Sequence, residues 1–422
     1  MWPTVADGFA YLSSQSWTGL FALFWFMILF DAPRYVLPFF AAAFFAPGRQ
    51  TPSHHVNNVG KVSVVLAGHN EAEGIERCVR SLREQSRPPD EIIVVSDGST
   101  DSMPERLKEL QHAGVVDHVH CTHLRGGKSA ALNLGERWAT GDIIVIADCD
   151  STYHRHALKY ILEPFADRSV GAVSGNILVR NVAYGLITKF QAIEYLISIS
   201  LGKKAAAMTD QVTCVSGAFG AFRRVAIDGV NGIDVGGGED FDLTLKLRKA
   251  GWKVKFVADA ICYTDTPATL MALIRQRFRW ERDTVRLRYR KHADLVNPFS
   301  GSFKPSELFH EIEFIIFHII AAALLPVYIV WLFFTYGEFA LMVLLSVQLC
   351  LFVLDLLSFI LAALATPQAN ALPLLAYTPG YSIYNGFFMR NIRLAAYIEE
   401  WIFNASADDE YLPAKVRLTR SW

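Results

Sequence analysis

From Phe339 to Ala365 the chain is almost wholly apolar, with Asp355 its one charged side chain. A bilayer crossing takes about 20 such residues, and a segment of this length and composition has few other places to go. Phe314–Thr335 is a second run of the same character. A third, Ala371–Met389, is weaker: Pro373, Pro379, Gly380 and Asn385 interrupt it and point to a broken or re-entrant segment. Towards the other end, Thr18–Ala46 is apolar except for Asp31-Ala32-Pro33-Arg34. Neither half of it reaches spanning length, so one long kinked span is expected. No Lys or Arg precedes Arg34, whereas Arg49 and Lys61 follow the run. The positive-inside rule then puts Met1 outside and the central region in the cytoplasm, as in a multi-pass protein of a plasma membrane, the inner one in a bacterium. The missing N-terminal basic cluster also argues against a cleaved signal peptide. At the C-terminus the rule and the count conflict. Three crossings put that end outside, while Arg390, Arg393, Lys415, Arg417 and Arg420 favour inside. Asp355, a carboxylate in apolar surroundings, faces either a polar path or a hydrogen-bonded helix neighbour.

The mean hydropathy of +0.25 and the 52% hydrophobic content come largely from these two ends. Between about Thr51 and Thr266 the charge density is that of a soluble domain. The net charge of −1 gives no argument for a nucleic-acid partner. Six scattered cysteines without CxxC spacing fit a reducing cytoplasm rather than a disulfide framework or a zinc ribbon. In the central region Lys61–Ala67, Glu91–Ser96, Val115–Cys121 and Asp142–Ala147 read as short buried strands. The helical patterns Glu71–Gln85 and Lys128–Ala139 fall between them. Buried strands alternating with helices imply a parallel, doubly wound α/β sheet whose ligands bind beyond the carboxyl ends of the strands. The run His118-Val119-His120-Cys121-Thr122-His123 resembles a metal cluster but reads better as the end of the third strand. No GxGxxG follows the first strand, which disfavours a dinucleotide cofactor.

Asp97 and the pair Asp148/Asp150 sit at those carboxyl ends. Two carboxylates where a strand ends suit Mg2+ or Mn2+, hard cations that bind through carboxylates and substrate phosphates. Neutralising a diphosphate makes it a better leaving group. Alone the DxD spacing is weak, since it is frequent in ordinary turns; its value lies in its company.

That company is ordered: His69-Asn70-Glu71, Asp97-Gly98-Ser99-Thr100-Asp101, Gly127-Lys128 with Asn133, Asp148-x-Asp150, Val215-Ser216-Gly217, Gly238-Glu239-Asp240 and Gln276-Arg277-Phe278-Arg279-Trp280. From about Val62 to Trp280 the chain resembles the family-2 processive glycosyltransferases, among them cellulose, hyaluronan, chitin-oligosaccharide and poly-N-acetylglucosamine synthases. The last motif matches their QxxRW signature. The resemblance implies a GT-A-like catalytic domain and an inverting, metal-dependent hexosyltransferase using a nucleotide sugar, UDP-GlcNAc or UDP-glucose. It implies that Asp97 contacts the uracil or ribose end of the donor and that Lys128 approaches the nucleotide and its phosphates. By the same resemblance Asp148 assists donor binding, Asp150 ligates the metal and Asp240 is the general base. Gln276, Arg279 and Trp280, with Glu239, are implied to shape the acceptor site and hold the diphosphate. One departure is Ala67-Gly68-His69, where many relatives carry a proline and an aromatic before Asn-Glu. Gln191-x-x-Glu194-Tyr195, Val215-Ser216-Gly217 and Ala221-Phe222-Arg223-Arg224 bring the pattern nearest to the poly-N-acetylglucosamine synthases, with a glucan synthase still open.

Read without that resemblance, Glu239 and Asp240 could simply open the helix Phe241–Ala250, because acids favour helix N-termini. Gly236-Gly237-Gly238 reads equally as a turn or as a loop closing over acceptor. Trp280 reads as a sugar platform or as an interfacial anchor. Ala268–Lys291 forms a helix with Leu270, Ile274, Phe278 and Val285 on one side. Arg275, Arg277, Arg279, Arg282, Arg286, Arg288, Arg290 and Lys291 suit it to an interface with anionic membrane lipids. The organisation expected is an N-terminal transmembrane segment (1–50), a cytoplasmic catalytic domain (51–266), interfacial helices (267–310) and a C-terminal transmembrane region (311–422). The expected activity is polymerisation of a growing β-linked glycan coupled to export, with an accessory export subunit as a candidate partner. A nonprocessive enzyme adding one sugar to a membrane lipid shares the same aspartates and a similar QxxRW. A noncatalytic scaffold would lack Asp97, Asp148, Asp150 and Asp240, all of which are present.

Overall fold

The computed structural model describes residues 5–34, 59–208, 211–301, 303 and 305–408. The second half of the N-terminal apolar run (35–46), Arg49, and the basic residues Lys415, Arg417 and Arg420 lie outside them. Four consecutive strands alternate with helices: β1 (Val62–Gly68), β2 (Glu91–Asp97), β3 (His118–Thr122) and β4 (Ile143–Asp148). They hydrogen-bond in parallel, with β1 between β2 and β4 and β3 outermost. Alternation of the side chains divides the core between the two faces of the sheet. Val62, Val64 and Leu66 meet Ile75, Val79 and Leu82 of the helix Ile75–Arg83 on one face. Val65 and Ala67 meet Ala131 and Leu132 of the helix Lys128–Trp138 on the other. Both faces are covered, which is why these strands read as continuous apolar runs.

The second half of the sheet is mixed. Beyond β4 come β7 (Phe219–Arg223), β6 (Val170–Val179), β8 (Lys253–Thr264) and β5 (Thr152–Tyr153), giving the order β3-β2-β1-β4-β7-β6-β8-β5. Strand β7 runs antiparallel to both β4 and β6, while β6 and β8 are parallel. The parallel expectation therefore holds for the four strands that carried it, and the inserted antiparallel β7 joins them to the rest.

Two described helices, Glu307–Tyr336 and Phe339–Ala365, are long and apolar enough to cross a membrane. A third candidate is a bent pair, Ala6–Ser13 and Trp17–Arg34, with an angle of 118° between them. The bend falls at Ser14–Ser16; Asp31-Ala32-Pro33-Arg34 are helical, and the half of the expected kinked span that follows them lies outside the described residues. Asp31 is buried there and paired with Arg390, which offsets the cost of both charges. The weaker run 371–389 is short 3-10 turns (Leu372–Tyr377) followed by helix from Thr378 to Phe403, broken at its start as its prolines imply. Asp355 lies buried on the protein side of its helix.

The two halves share a core. The helix 186–208, inside the expected catalytic domain, buries Ile193, Leu196, Ile197 and Leu201 together with Ala321, Leu332, Val347 and Tyr381 of the C-terminal helices. Tyr328 donates to the carbonyl of Leu23, tying the N-terminal helix into the same bundle.

Candidate active site

The parallel register sets the site. Gly68 of β1 aligns with Ser96 of β2, and Ala67 aligns with Asp148 of β4, so Asp97 and Asp148 end on either side of β1. The loops that follow are bound to one another. Asn70, at φ 61°, accepts from the amides of Thr100 (2.8 Å) and Asp101 (3.3 Å), while Asp101 accepts from the amide of Ala72 (3.1 Å). His69, at the departure from the family pattern, places Nδ1 2.8 Å from the carbonyl of Asp97.

Asp97 itself is buried, and each of its oxygens accepts a backbone amide at 2.7 Å: Oδ1 from Gly126 and Oδ2 from Gly127. The carboxylate thus holds the glycine loop that opens the helix Lys128–Trp138. Lys128, first in that helix, donates to Asp148 Oδ1 at 2.8 Å and lies 3.0 Å from Glu239 Oε1. Asp240 stands beside this bridge, its Oδ2 accepting from the amide of Gly217 (3.1 Å) and its Oδ1 from Phe241 (2.8 Å). Lys128, Asp148, Glu239 and Asp240, expected from the sequence to act together, are brought together with Gly217 at their centre: a Cβ there would sit 3.0 Å from Lys128 Nζ and 3.3 Å from Glu239 Oε1.

Asp150 completes a group of acids with Asp148, Glu71 and Asp101. Burial and the Asp148 carboxylate raise its pKa, and its Oδ1 accepts from Ser151 at 3.0 Å. Glu71 is pushed up to about 7 by burial and then by Asp150, Asp148 and Asp101. Carboxyls that resist ionising together mark a place where a divalent cation would be stabilised, so the residues fit Mg2+ or Mn2+. Among the described residues no three His, Cys, Asp or Glu side chains enclose a metal by themselves. A cation held through one or two carboxylates and a substrate's phosphates needs no such cage.

Gly238 caps the helix Glu239–Lys249 in the left-handed conformation, φ 64°. Gly237 and Gly238 also lie against the Arg-rich helix Leu270–Arg286: a Cβ on Gly237 would come 2.7 Å from Asp283 Oδ2, and Arg286 donates to the Gly237 carbonyl at 2.8 Å. Close approach at both positions, and a positive φ at Gly238, are what these glycines allow here. The QxxRW residues sit one to two turns earlier on that helix. Arg277 is buried, pairs with Glu194 at 2.9 Å and lies over the Trp280 ring at 4.6 Å. Trp280 stays 39% exposed, and Gln276 Oε1 is buried with no hydrogen-bond partner among the described residues. Arg279 lies half-buried on the same helix. The buried face of the helix is not quite the one expected: Leu273 and Arg277 face in, whereas Leu270 is 48% exposed.

Several of the basic side chains also pair with acids of the protein. Arg282 meets Glu399, Arg288 meets Glu311, Arg290 meets Glu400, and Lys291 meets Asp234 and Asp242. The histidine-rich run forms the edge strand β3, with the rings of His118 and His120 against Trp138.

Three residues near the site were not singled out by sequence. Glu71 stands in a quoted motif, but only the fold reveals its acidic neighbours. Arg180 donates to the Asp150 carbonyl at 2.8 Å while paired with Asp265. Lys203 donates to Ser174 Oγ (3.0 Å) and Ser216 Oγ (2.5 Å), and burial lowers its pKa although Cys214 and Asp240 oppose the shift. Neither carries a local sequence signal, because their partners are distant in the chain.

Comparison with known proteins identifies the family and the fold. Residues 60–282 match the family described as glycosyltransferase like family 2, over more than half of the chain. A poly-beta-1,6-N-acetyl-D-glucosamine synthase of Staphylococcus aureus (strain COL) is 31% identical over 236 residues, 54% of this chain and 56% of that protein. The namesake from Staphylococcus epidermidis is 28% identical over 249 residues, 58% of each. The chain thus spans little more than half the length of the curated relatives it matches. Among solved structures, the mannosyltransferase PcManGT from Pyrobaculum calidifontis, in complex with GDP-Man and Mn2+, shares the fold at a TM-score of 0.59 and 22% identity, covering 87% of this chain and 99% of that one.

Proposed function

The chain belongs to glycosyltransferase family 2, and on that footing we propose that it transfers a sugar, with inversion, from UDP-GlcNAc or UDP-glucose to a growing β-linked polysaccharide. The observation that carries this reading is the Lys128 bridge, 2.8 Å to Asp148 and 3.0 Å to Glu239. It joins the acids at the end of β4 to those opening the helix Glu239–Lys249, so a donor side and an acceptor side meet at one point. In-line displacement requires that meeting. The names of the staphylococcal relatives favour GlcNAc and a polymeric product.

The acceptor hydroxyl oxygen attacks the anomeric carbon, the bond from that carbon to the diphosphate breaks, and the electron pair leaves with the diphosphate. Asp240 takes the hydroxyl proton, its two oxygens fixed by the amides of Gly217 and Phe241. Asp97 frames the nucleotide end by holding Gly126 and Gly127, and Lys128 meets the phosphates. Asp150, with Asp148, would hold Mg2+ or Mn2+, which supplies neutralising charge for the leaving diphosphate. Glu239, Gln276, Arg279 and Trp280 form the acceptor side, Trp280 offering a flat ring to the apolar face of a sugar. The catalytic domain lies in the cytoplasm, and the apolar helices carry the product outward, alone or with an export subunit. Membrane lipids surround those helices.

The test uses inverted membrane vesicles, labelled nucleotide sugars, Mg2+ or Mn2+, and an Asp240→Asn control. Metal-dependent polymer from one donor, missing in the control, is the expected result. Label confined to a small lipid-extractable product would replace the polymerase by a lipid glycosyltransferase.

A further inference from the structure

Trp280 is held by a chain of contacts that ends in the helix from Thr378 to Phe403, which is itself tied to the apolar helix Phe339–Ala365 where Gln348 donates to Ser382 at 2.9 Å. Tyr384 lies in the helical segment that follows Thr378, and its hydroxyl donates to Glu194 Oε2 at 3.1 Å. The same oxygen accepts from Arg277 Nη2 at 2.9 Å. The Arg277 guanidinium in turn covers the Trp280 ring at 4.6 Å. All three polar members are buried: Glu194 is 6% exposed, Arg277 7% and Tyr384 6%. The anchorage is sparse, since Arg277 Nε has no hydrogen-bond partner among the described residues. A guanidinium held by one carboxylate oxygen and one ring moves with that oxygen. Glu194 is itself set by the helix 186–208, which is pinned where Gln191 donates to the Pro267 carbonyl at 2.7 Å, just before the Arg-rich helix begins.

We propose that Glu194 and Tyr384 are positioning residues for the acceptor: through Arg277 they fix the Trp280 ring relative to the membrane helices, so that the sugar platform and the route by which product leaves stay in register. The inference rests on the reading of Trp280 as an acceptor platform. Neither residue touches a reacting atom, so their loss should spare donor handling and shorten the product. A chain that slips off its platform between additions is released early, while each single addition proceeds at nearly its normal rate.

Two readouts on the full chain, one structural and one enzymatic, test this. The protein is labelled with 5-fluorotryptophan in detergent, and the 19F line of Trp280 is assigned by its loss in Trp280→Phe. Tyr384→Phe removes only a hydroxyl and keeps the ion pair; Glu194→Gln removes the charge. Tyr328→Phe, a buried membrane tyrosine bonded to Leu23, controls for general loosening. Expected are a shifted or broadened Trp280 line and polymer several-fold shorter in Tyr384→Phe and Glu194→Gln, with donor KM within about twofold of wild type and no change in the control. A Trp280 line unmoved in both variants overturns the relay. A moved line with polymer of full length overturns its role in holding the acceptor. A wild-type protein that makes no polymer, but whose Trp280 line moves in Tyr384→Phe, keeps the relay and sinks the polymerase reading instead.

Discussion

Asp97→Asn separates a residue that grips the donor from one that builds the pocket around it. Both carboxylate oxygens are engaged by amides at 2.7 Å, from Gly126 and Gly127, and the side chain is 5% exposed. Asparagine keeps one acceptor but turns an NH2 towards the other amide, losing one charge-assisted bond. Such bonds are worth about 1.5–3 kcal/mol, so the loop opens from its closed state roughly 10- to 150-fold more often. Hydrogen exchange followed by mass spectrometry reads this directly in a peptide covering residues 122–128. Its amides should exchange faster by that factor without any added nucleotide, while peptides from β1 and β4 keep their protection. Activity should fall in parallel, because Lys128 is the residue next to the loosened glycines. Unchanged exchange in this peptide, together with a large loss of donor affinity, would refute the loop-holding account and return Asp97 to direct contact with the nucleotide.

Asp240→Asn should lower turnover about 10²- to 10⁴-fold, the usual loss for a general base, with labelled donor still binding; loss of binding instead would make Asp240 part of the donor pocket. Chelation should abolish transfer, and Mg2+ or Mn2+ should restore it, as measured by label incorporation; full activity in EDTA would contradict the role given to Asp150. Gly175→Ala should cost about 1–3 kcal/mol, read as a lowered Tm, because the new methyl would strike the Phe219 ring and lie 2.9 Å from the Ala260 carbonyl. An unaltered Tm there would show that β6 and β7 can separate at no cost.

The first four strands and the acids at their ends were legible because each signal is local. A strand buried on both faces is a short apolar run, and the acid that ends it is the next residue along, as with Ala147-Asp148 and Ser96-Asp97. Strand β5 is two residues long and β7 is Phe219-Gly220-Ala221-Phe222-Arg223, too short and too glycine-bearing to announce its antiparallel place between β4 and β6. Lys128 could be named from its motif, but its bridge to Glu239 joins loops more than a hundred residues apart. The pairing of the Arg-rich helix was hidden for the same reason. Its composition is plain, yet the carboxylates that meet it, Glu194, Glu311, Glu399 and Glu400, come from three other helices. Charge counted along the chain shows the excess of base, but not the acids packed against it in space.

The core shared by the helix 186–208 and the C-terminal helices has a consequence for biogenesis. Roughly a hundred residues separate the end of that helix from the start of Glu307–Tyr336, about 5–20 s of synthesis at about 5–20 residues per second. Through that interval Ile193, Leu196, Ile197 and Leu201 have Leu23, Phe26 and the end of β6 beside them but lack the cover that Ala321, Leu332, Val347 and Tyr381 supply. The nascent sheet therefore needs shelter at the translocon until the last helices arrive, and the catalytic half expressed by itself would present the same uncovered face permanently.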